Sequence, residues 1–442
     1  MESPRRTSGL APRTLHPADE AASEGLSLAL AAHNGTMLVR GRMAEFRRGW
    51  PILLAGLVGV MFGISALPFY TLGVFVPLLE REFGWSRAAI QAGFTVQMLG
   101  MLAVAWAWGM ATDRWGPRRV ALWSQAGLAL GLAVVATTGS LPHWYAAWFL
   151  VALLGAGTSP ITWTRGVTGW FDAARGTALG LMLAGTGLTA ILAPPLVTRI
   201  VADQGWAAGY AALAAGVVLI AWPLAALLFR DPPAPPPVRQ GATAGVGAAL
   251  RSRPFLLMLG VFFLVTFAVS GLIPSIVPML VDRGLAPNRA ALFASLLGAA
   301  VVLGRIGAGV LLDRVWAPAV AALFLWLPAG ACALLLWGGA SLPLVGLAVV
   351  LVGLAAGAEF DLVAYMVSRY FPLAQYGVVY SQLMVGMLVG GGFGPPVFGR
   401  VFDLTGSYAP ALFAAAAIFA LAPLPLLRLG RYPAPRAQAG AA

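Results

Sequence analysis

From residue 50 onward the chain alternates long apolar runs with short polar breaks. Twelve runs stand out, at 51–79, 88–111, 119–138, 143–168, 176–199, 206–229, 254–280, 290–312, 317–338, 342–368, 377–400 and 408–429. Each is near the ~20 residues a helix needs to cross the hydrocarbon core of a bilayer. Gly and Pro recur inside them, as membrane-spanning helices tolerate. Gly180, Ala184 and Gly187, and again Gly386, Gly390 and Gly394, place small residues about a turn apart, which lets helices approach closely. The pattern predicts an all-α membrane protein with twelve transmembrane helices.

The polar breaks organise these runs. Residues 1–45 are polar and lack an apolar stretch of signal-peptide length before residue 25. They predict a disordered N-terminal tail, and Met43, just before Arg47 and Arg48, offers an alternative start. The stretch 230–253 opens Arg-Asp-Pro-Pro-Ala-Pro-Pro-Pro and is the longest polar break after residue 50. Its prolines predict a stiff linker. That linker divides the runs six and six, into an N-terminal bundle (46–229) and a C-terminal bundle (254–430), followed by a tail at 431–442. The second half echoes the first. Gly109, Asp113 and Arg114 recur as Gly309, Asp313 and Arg314, each 200 positions later, and Trp170-Phe171 recurs as Tyr370-Phe371. Such a duplication predicts two similar bundles facing each other across a central path.

Charge orients the predicted helices. The chain is 60% hydrophobic and 10% charged, with net charge +12, and its basic side chains other than histidine are all arginine. Seventeen arginines, from Arg40 to Arg436, fall on the side that carries both termini. Six (Arg81, Arg87, Arg199, Arg283, Arg289 and Arg400) fall on the other. The positive-inside rule makes the first side cytoplasmic, so both termini are expected inside a cell inner membrane. Arginines spread through short loops between membrane runs do not form a nucleic-acid stripe, and no nucleic-acid partner is expected. Cys332 lies in an apolar run and reads as a small core residue. His16 and His33 fall in the tail and His143 in an outer loop, so no catalytic or metal-binding constellation forms. The phosphate-binding G-x-x-x-x-G-K pattern is absent, and no cofactor is expected. Trp50, Trp144, Tyr145, Trp206 and Tyr408 sit near run ends, as interfacial anchors do.

The run Gly109-Met110-Ala111-Thr112-Asp113-Arg114-Trp115-Gly116-Pro117-Arg118-Arg119, its shorter copy at 309–314 and the twelve runs with a central linker resemble the major facilitator superfamily over about residues 46–430. A narrower likeness lies in Gly73-Val74-Phe75-Val76-Pro77 and Phe83-Gly84-Trp85-Ser86-Arg87, which is similar to the oxalate/formate antiporter and monocarboxylate transporter branch. Arg305, in Leu303-Gly304-Arg305-Ile306-Gly307, also fits that branch, in which an arginine of the eighth helix is implicated in binding the substrate carboxylate. The resemblance implies the major facilitator fold and transport by alternating access. It also implies a cytoplasmic gate at Gly109, Asp113, Arg114, Arg118, Gly309, Asp313 and Arg314. Two features depart from the branch. Val301 stands where animal monocarboxylate transporters place an aspartate, and the chain has no lysine for the first helix. Proton coupling by that route is therefore not implied.

A charge within a membrane is costly and tends to face a bundle interior or water. Arg305 lies about 16 residues into its run, roughly 24 Å along the helix. Its planar fork matches a carboxylate, with Gly304 and Gly307 expected to leave room beside it. The other reading is a structural arginine that holds neighbouring carbonyls. Glu359 and Asp361, two apart on one helix, point in different directions. Either is a candidate proton carrier, or else a packing or gating partner of an arginine. Arg165, near the inner end of the fourth run, reads as a snorkelling or gating residue. Tyr70, Gln97, Tyr365 and Gln382 are candidates to line the substrate path, each against the alternative of a helix–helix hydrogen bond.

These features predict a monomeric secondary transporter that moves a small organic anion, a monocarboxylate or dicarboxylate, through the bilayer by proton symport or anion exchange. The alternatives are export of an amphiphilic metabolite or drug and, further off, a transporter-like membrane sensor. The missing catalytic groups point away from an enzyme.

Overall fold

The computed structural model describes residues 43–171, 174–232, 246–338, 341–372, 375–430 and 432. The predicted tail up to residue 42, the middle of the linker and all of the final tail except Tyr432 lie outside the described residues.

The described chain crosses twelve times. α1 comprises two pieces, 43–61 and Leu67–Phe83. It is followed by α2 (Arg87–Trp115), α3 (Pro117–Val135), α4 (Leu141–Thr168), α5 (175–204) and α6 (206–228). The second half contains α7 (Arg253–Asp282), α8 (Pro287–Leu312), α9 (Ala317–Trp337), α10 (Leu342–Tyr370), α11 (Tyr376–Thr405) and α12 (Ala409–Arg428). Nine stretches pass as spans by length and composition alone. One of them, Arg175–Leu228, is two passes, because Gly205 at φ 83° and ψ 172° turns the chain between α5 and α6. α3, with Arg118 and Arg119 in its first turn, and the interrupted α1 complete the twelve.

Local chemistry sets many of these ends. Prolines occupy the first turn of α3, α4, α7, α8, α9, α10 and α12, where a missing N–H removes no helical bond. Ser86, Ser140 and Ser252 cap α2, α4 and α7 through their hydroxyls. Gly84 and Gly406, both left-handed, close α1 and α11. Most of the buried apolar side chains fall into three clusters. Two lie wholly within 52–229 and one wholly within 249–426, so the core divides where the linker does. Cys332 is fully buried in the last, as expected. Within the predicted linker, Val246–Leu250 forms a short helix against α11 rather than an extended strand of chain.

Two runs that read as continuous helices are broken. α1 opens at 62–66. α4 opens at 156–159, where a 3-10 turn leads to Ser159 at ψ 156°, the extended conformation that a following proline imposes. Freed backbone groups inside a membrane must find partners, and here the two breaks brace each other. The Ile64 N–H donates to Thr158 Oγ1 at 3.0 Å, and the Gln97 amide donates to the Ile64 carbonyl at 3.2 Å. Thr158 Oγ1 donates to the Gly155 carbonyl at 2.7 Å, Trp163 Nε1 to the Thr158 carbonyl at 3.1 Å, and Thr189 to the Met61 carbonyl at 2.6 Å.

Candidate functional site

The two halves meet along α1–α7, α2–α11 and α5–α8. Glycines make the approach close: a Cβ on Gly73 would lie 2.4 Å from the Pro274 carbonyl oxygen, and one on Gly187 2.4 Å from Val302. Thr95 donates to the Gly392 carbonyl at 2.6 Å, and Ser295 to the Ile191 carbonyl at 2.6 Å. These contacts lie at mid-depth and toward the face opposite the termini, here called the far face. Toward the termini face the halves part. Outside their own helices, nothing among the described residues lies within 4 Å of a Cβ on Gly109 or Gly309, and Asp313 and Arg314 are exposed.

Arg305 sits one turn beyond the Gly187–Val302 contact, on the open side of the closed zone. Its side chain is 15% exposed, and its Nε stands 3.1 Å from Asp361 Oδ2 of α10, itself 32% exposed. That contact is close enough for an ion pair but misaligned for a hydrogen bond, so Nε is otherwise unpartnered. Neither terminal amino group of the fork has a hydrogen-bond partner among the described residues, and neither is sealed from the surroundings. Backbone packing creates the pair. A Cβ on Gly304 would lie 2.1 Å from the Leu354 carbonyl oxygen, and one on Gly357 2.0 Å from that of Val301. Gly304 therefore does not leave room for a ligand, as the sequence suggested. It lets α8 press against α10 so that Arg305 meets Asp361.

The neighbouring acid faces another helix. Glu359 is 3% exposed and accepts a hydrogen bond from Thr266 of α7. Tyr70, from α1 of the other half, lies within electrostatic reach of both Arg305 and Glu359. Tyr380 of α11 lies within reach of Asp361 and Arg305 and stacks on Tyr376, with ring centroids 5.6 Å apart. Tyr365 is half-buried one turn from Asp361 on α10. Arg305, Asp361, Glu359 and Tyr70 thus come together from two helices of one half and one of the other. Gln382 is exposed on α11. Gln97 does not line this site: it is fully buried and braces the break in α1.

Among the described residues, the residues expected to form the gate show no pairing across the halves. Asp113 pairs with Arg165 of its own half at 2.5 Å, with both side chains exposed. Arg118 donates from its guanidinium to the Ala226 carbonyl at 2.7 Å and from its backbone to Asp231 at 2.8 Å, tying the α2–α3 turn to the start of the linker. Arg114 is exposed. Two expected interfacial anchors point inward instead. Trp144 is fully buried and donates to the Ile90 carbonyl, and Tyr408 is 4% exposed. Trp50, 54% exposed, keeps the outward position.

Comparison with known proteins adds a family. Residues 58–327 match the family described as Major Facilitator Superfamily. The chain is similar to monocarboxylate transporter 11 of Homo sapiens, 29% identical over 385 residues that cover 81% of this chain and 79% of that one. It is similar over a shorter stretch to the oxalate:formate antiporter of Oxalobacter formigenes, 28% identical over 230 residues, or 49% of this chain and 52% of the antiporter. Among solved structures it resembles a bacterial homologue of the human lysosomal transporter Spinster in an inward-facing, unoccupied conformation. That likeness has a TM-score of 0.63 at 17% identity and covers 85% of this chain and 97% of the other, and it shows the fold.

Proposed function

The chain belongs to the Major Facilitator Superfamily, and on that premise we propose that it is a secondary active transporter whose substrate is a small organic anion, a monocarboxylate or dicarboxylate, bound at Arg305. The observation that carries this reading is the state of the Arg305 fork. One edge is held by Asp361, and the terminal amino groups have no hydrogen-bond partner among the described residues. A guanidinium so placed is ready for a two-point contact with a carboxylate. The names of the relatives support the same class of substrate. Asp361 and Glu359 are the groups through which proton symport would run, and exchange of one anion for another is the alternative. The arginine bias supports cytoplasmic termini, and under this reading the face that is open here is the cytoplasmic one.

The test is binding of small carboxylates and their amides to purified protein, followed by thermal shift, since a ligand of the folded state raises apparent stability. The acids should stabilise the protein and the amides should not. Arg305→Ala should lose about ten- to a hundredfold in affinity, the worth of a charge-assisted hydrogen bond, and Arg305→Lys should lose less. Unchanged affinity in Arg305→Ala would remove the anion site and bring forward export of a neutral or cationic amphiphile.

A further inference from the structure

At the far end of the interface Arg87 is the hub of a second charged cluster, remote from Arg305. It is the first residue of α2, and its side chain is 5% exposed. Its two terminal nitrogens grip both oxygens of Asp282, at the end of α7, at 2.6 and 2.9 Å. Nε donates to Glu80 of α1 at 3.0 Å, and Nη1 also donates to the Tyr408 hydroxyl at 3.1 Å. The guanidinium carbon lies 3.7 Å from the centre of the Phe402 ring. The backbone adds a second bridge. The N–H groups of Arg87 and Ala88 each donate to one oxygen of Asp403, both at 3.0 Å. A carboxylate of α11 thereby caps the N-terminus of α2 from across the interface, taking two of the donors that a helix start leaves unmet.

These contacts divide by half. Glu80 belongs to the same half as Arg87 and would travel with it. Asp282, Asp403, Tyr408 and Phe402 belong to the other half and are lost when the far face opens. Only contacts that differ between two states can shift the balance between them. A bidentate pair, buried on the arginine side and partly open on that of Asp282, and a charged helix cap both exist in the closed state alone, and taking away the partner of a buried charge is strongly unfavourable.

We infer that Arg87, Asp282 and Asp403 form a latch that holds the far-face gate shut and sets the ratio of the two access states. The inference does not depend on what Arg305 binds. It is tested on the full-length protein in lipid nanodiscs with spin labels at Pro142→Cys and Pro343→Cys, exposed positions at the far ends of α4 and α10. The native Cys332 is buried and stays unlabelled. Asp282→Asn and Asp403→Asn should each raise the ratio of long to short distances by about tenfold, and the double variant by more. Glu80→Gln is the control, because its partner stays with it in both states, and it should leave the ratio near that of the parent. If Asp282→Asn does not give monodisperse protein, Asp403→Asn carries the test alone. Unchanged distances in the Asn variants would overturn the latch. So would an equal shift in Glu80→Gln, which would mark general loosening of the far face.

Discussion

Replacing Asp361 by Asn tests how the Arg305 fork is kept available. Asp361 and a substrate anion compete for one cation. Two unit charges about 4 Å apart attract by about 4 kcal/mol at an effective dielectric of about 20. The Arg305–Asp361 contact is misaligned, and both side chains are partly open, at 15% and 32%. An exposed pair is worth only about 0.2–1 kcal/mol, so this one should fall between, near 1–2 kcal/mol. Asparagine keeps the shape and removes the competing charge. Anion affinity should therefore rise about five- to thirtyfold, read by titration calorimetry with a short-chain carboxylate on detergent-purified protein. The same variant should lose transport against a gradient if Asp361 carries the coupling proton, and keep it if the protein exchanges anions. An affinity that stays the same or falls would refute the competition and make Asp361 a positioning residue that aims the fork.

Three further outcomes follow from the packing. Thr158→Val removes the oxygen that accepts from the Ile64 N–H, and a buried donor left unmet costs about 1–3 kcal/mol, so thermal denaturation in detergent should shift down by several degrees. Gly304→Leu places a side chain where even a Cβ lies 2.1 Å from the Leu354 carbonyl oxygen; α8 should move off α10 and carboxylate binding should weaken, while Gly307→Ala, with its nearest neighbour at 3.7 Å, should bind as the parent does. Asp113→Asn costs the state open at the termini face only an exposed pair with Arg165, worth about 0.2–1 kcal/mol, and takes from the closed state the charge expected to tie the halves; the balance should move toward the open state, and unchanged spin-label distances across that face would remove Asp113 from the gate.

The membrane passes were legible because hydropathy reports burial in lipid directly. The breaks in α1 and α4 were not, because hydropathy does not register backbone conformation. Ser159-Pro160 was the one local sign, and a proline in a membrane run is ambiguous between a kink and a first turn. Arg305 stood out as a lone charge in an apolar stretch, whereas its partner emerged only from the glycine-mediated contact of α8 with α10. In the sequence Arg87 is a loop arginine that closes the Phe83–Arg87 run, with no sign of a partner. Its importance depends on acids 195 and 316 residues away, a pairing that no local pattern encodes. Gln97 shows the reverse error. A polar residue in an apolar run can serve a ligand or the backbone, and only the break at Ile64 decides between them.

The duplication clarifies why the charge sits where it does. Gly84 and Gly284, 200 positions apart, both take positive φ just past the ends of α1 and α7, so the offset holds between these helices. At the same offset, Ala66 at the break in α1 corresponds to Thr266 in the unbroken α7, and Ser159 at the break in α4 to Glu359 in the unbroken α10. Ser140-Leu141-Pro142 matches Ser341-Leu342-Pro343 at 201, and Trp170-Phe171 matches Tyr370-Phe371 at 200, so the first half holds one more residue across the break in α4. At equivalent places, then, one half joins its helices through Ile64 N–H and Thr158, and the other through Thr266 and Glu359. A backbone break satisfied by neutral groups fixes a shape without introducing charge. An unbroken helix satisfies its own backbone and leaves its side chains free to hold charge. Arg305, Glu359 and Asp361 all lie in the second half, where the position equivalent to Arg305 in the first is Ala105. Under the proposed function the anion is held by one half, and Tyr70 is the group through which the other half senses it. Substrate binding can then bias the packing of the halves through a contact that spans them, while the latch at Arg87 sets the balance against which that bias acts.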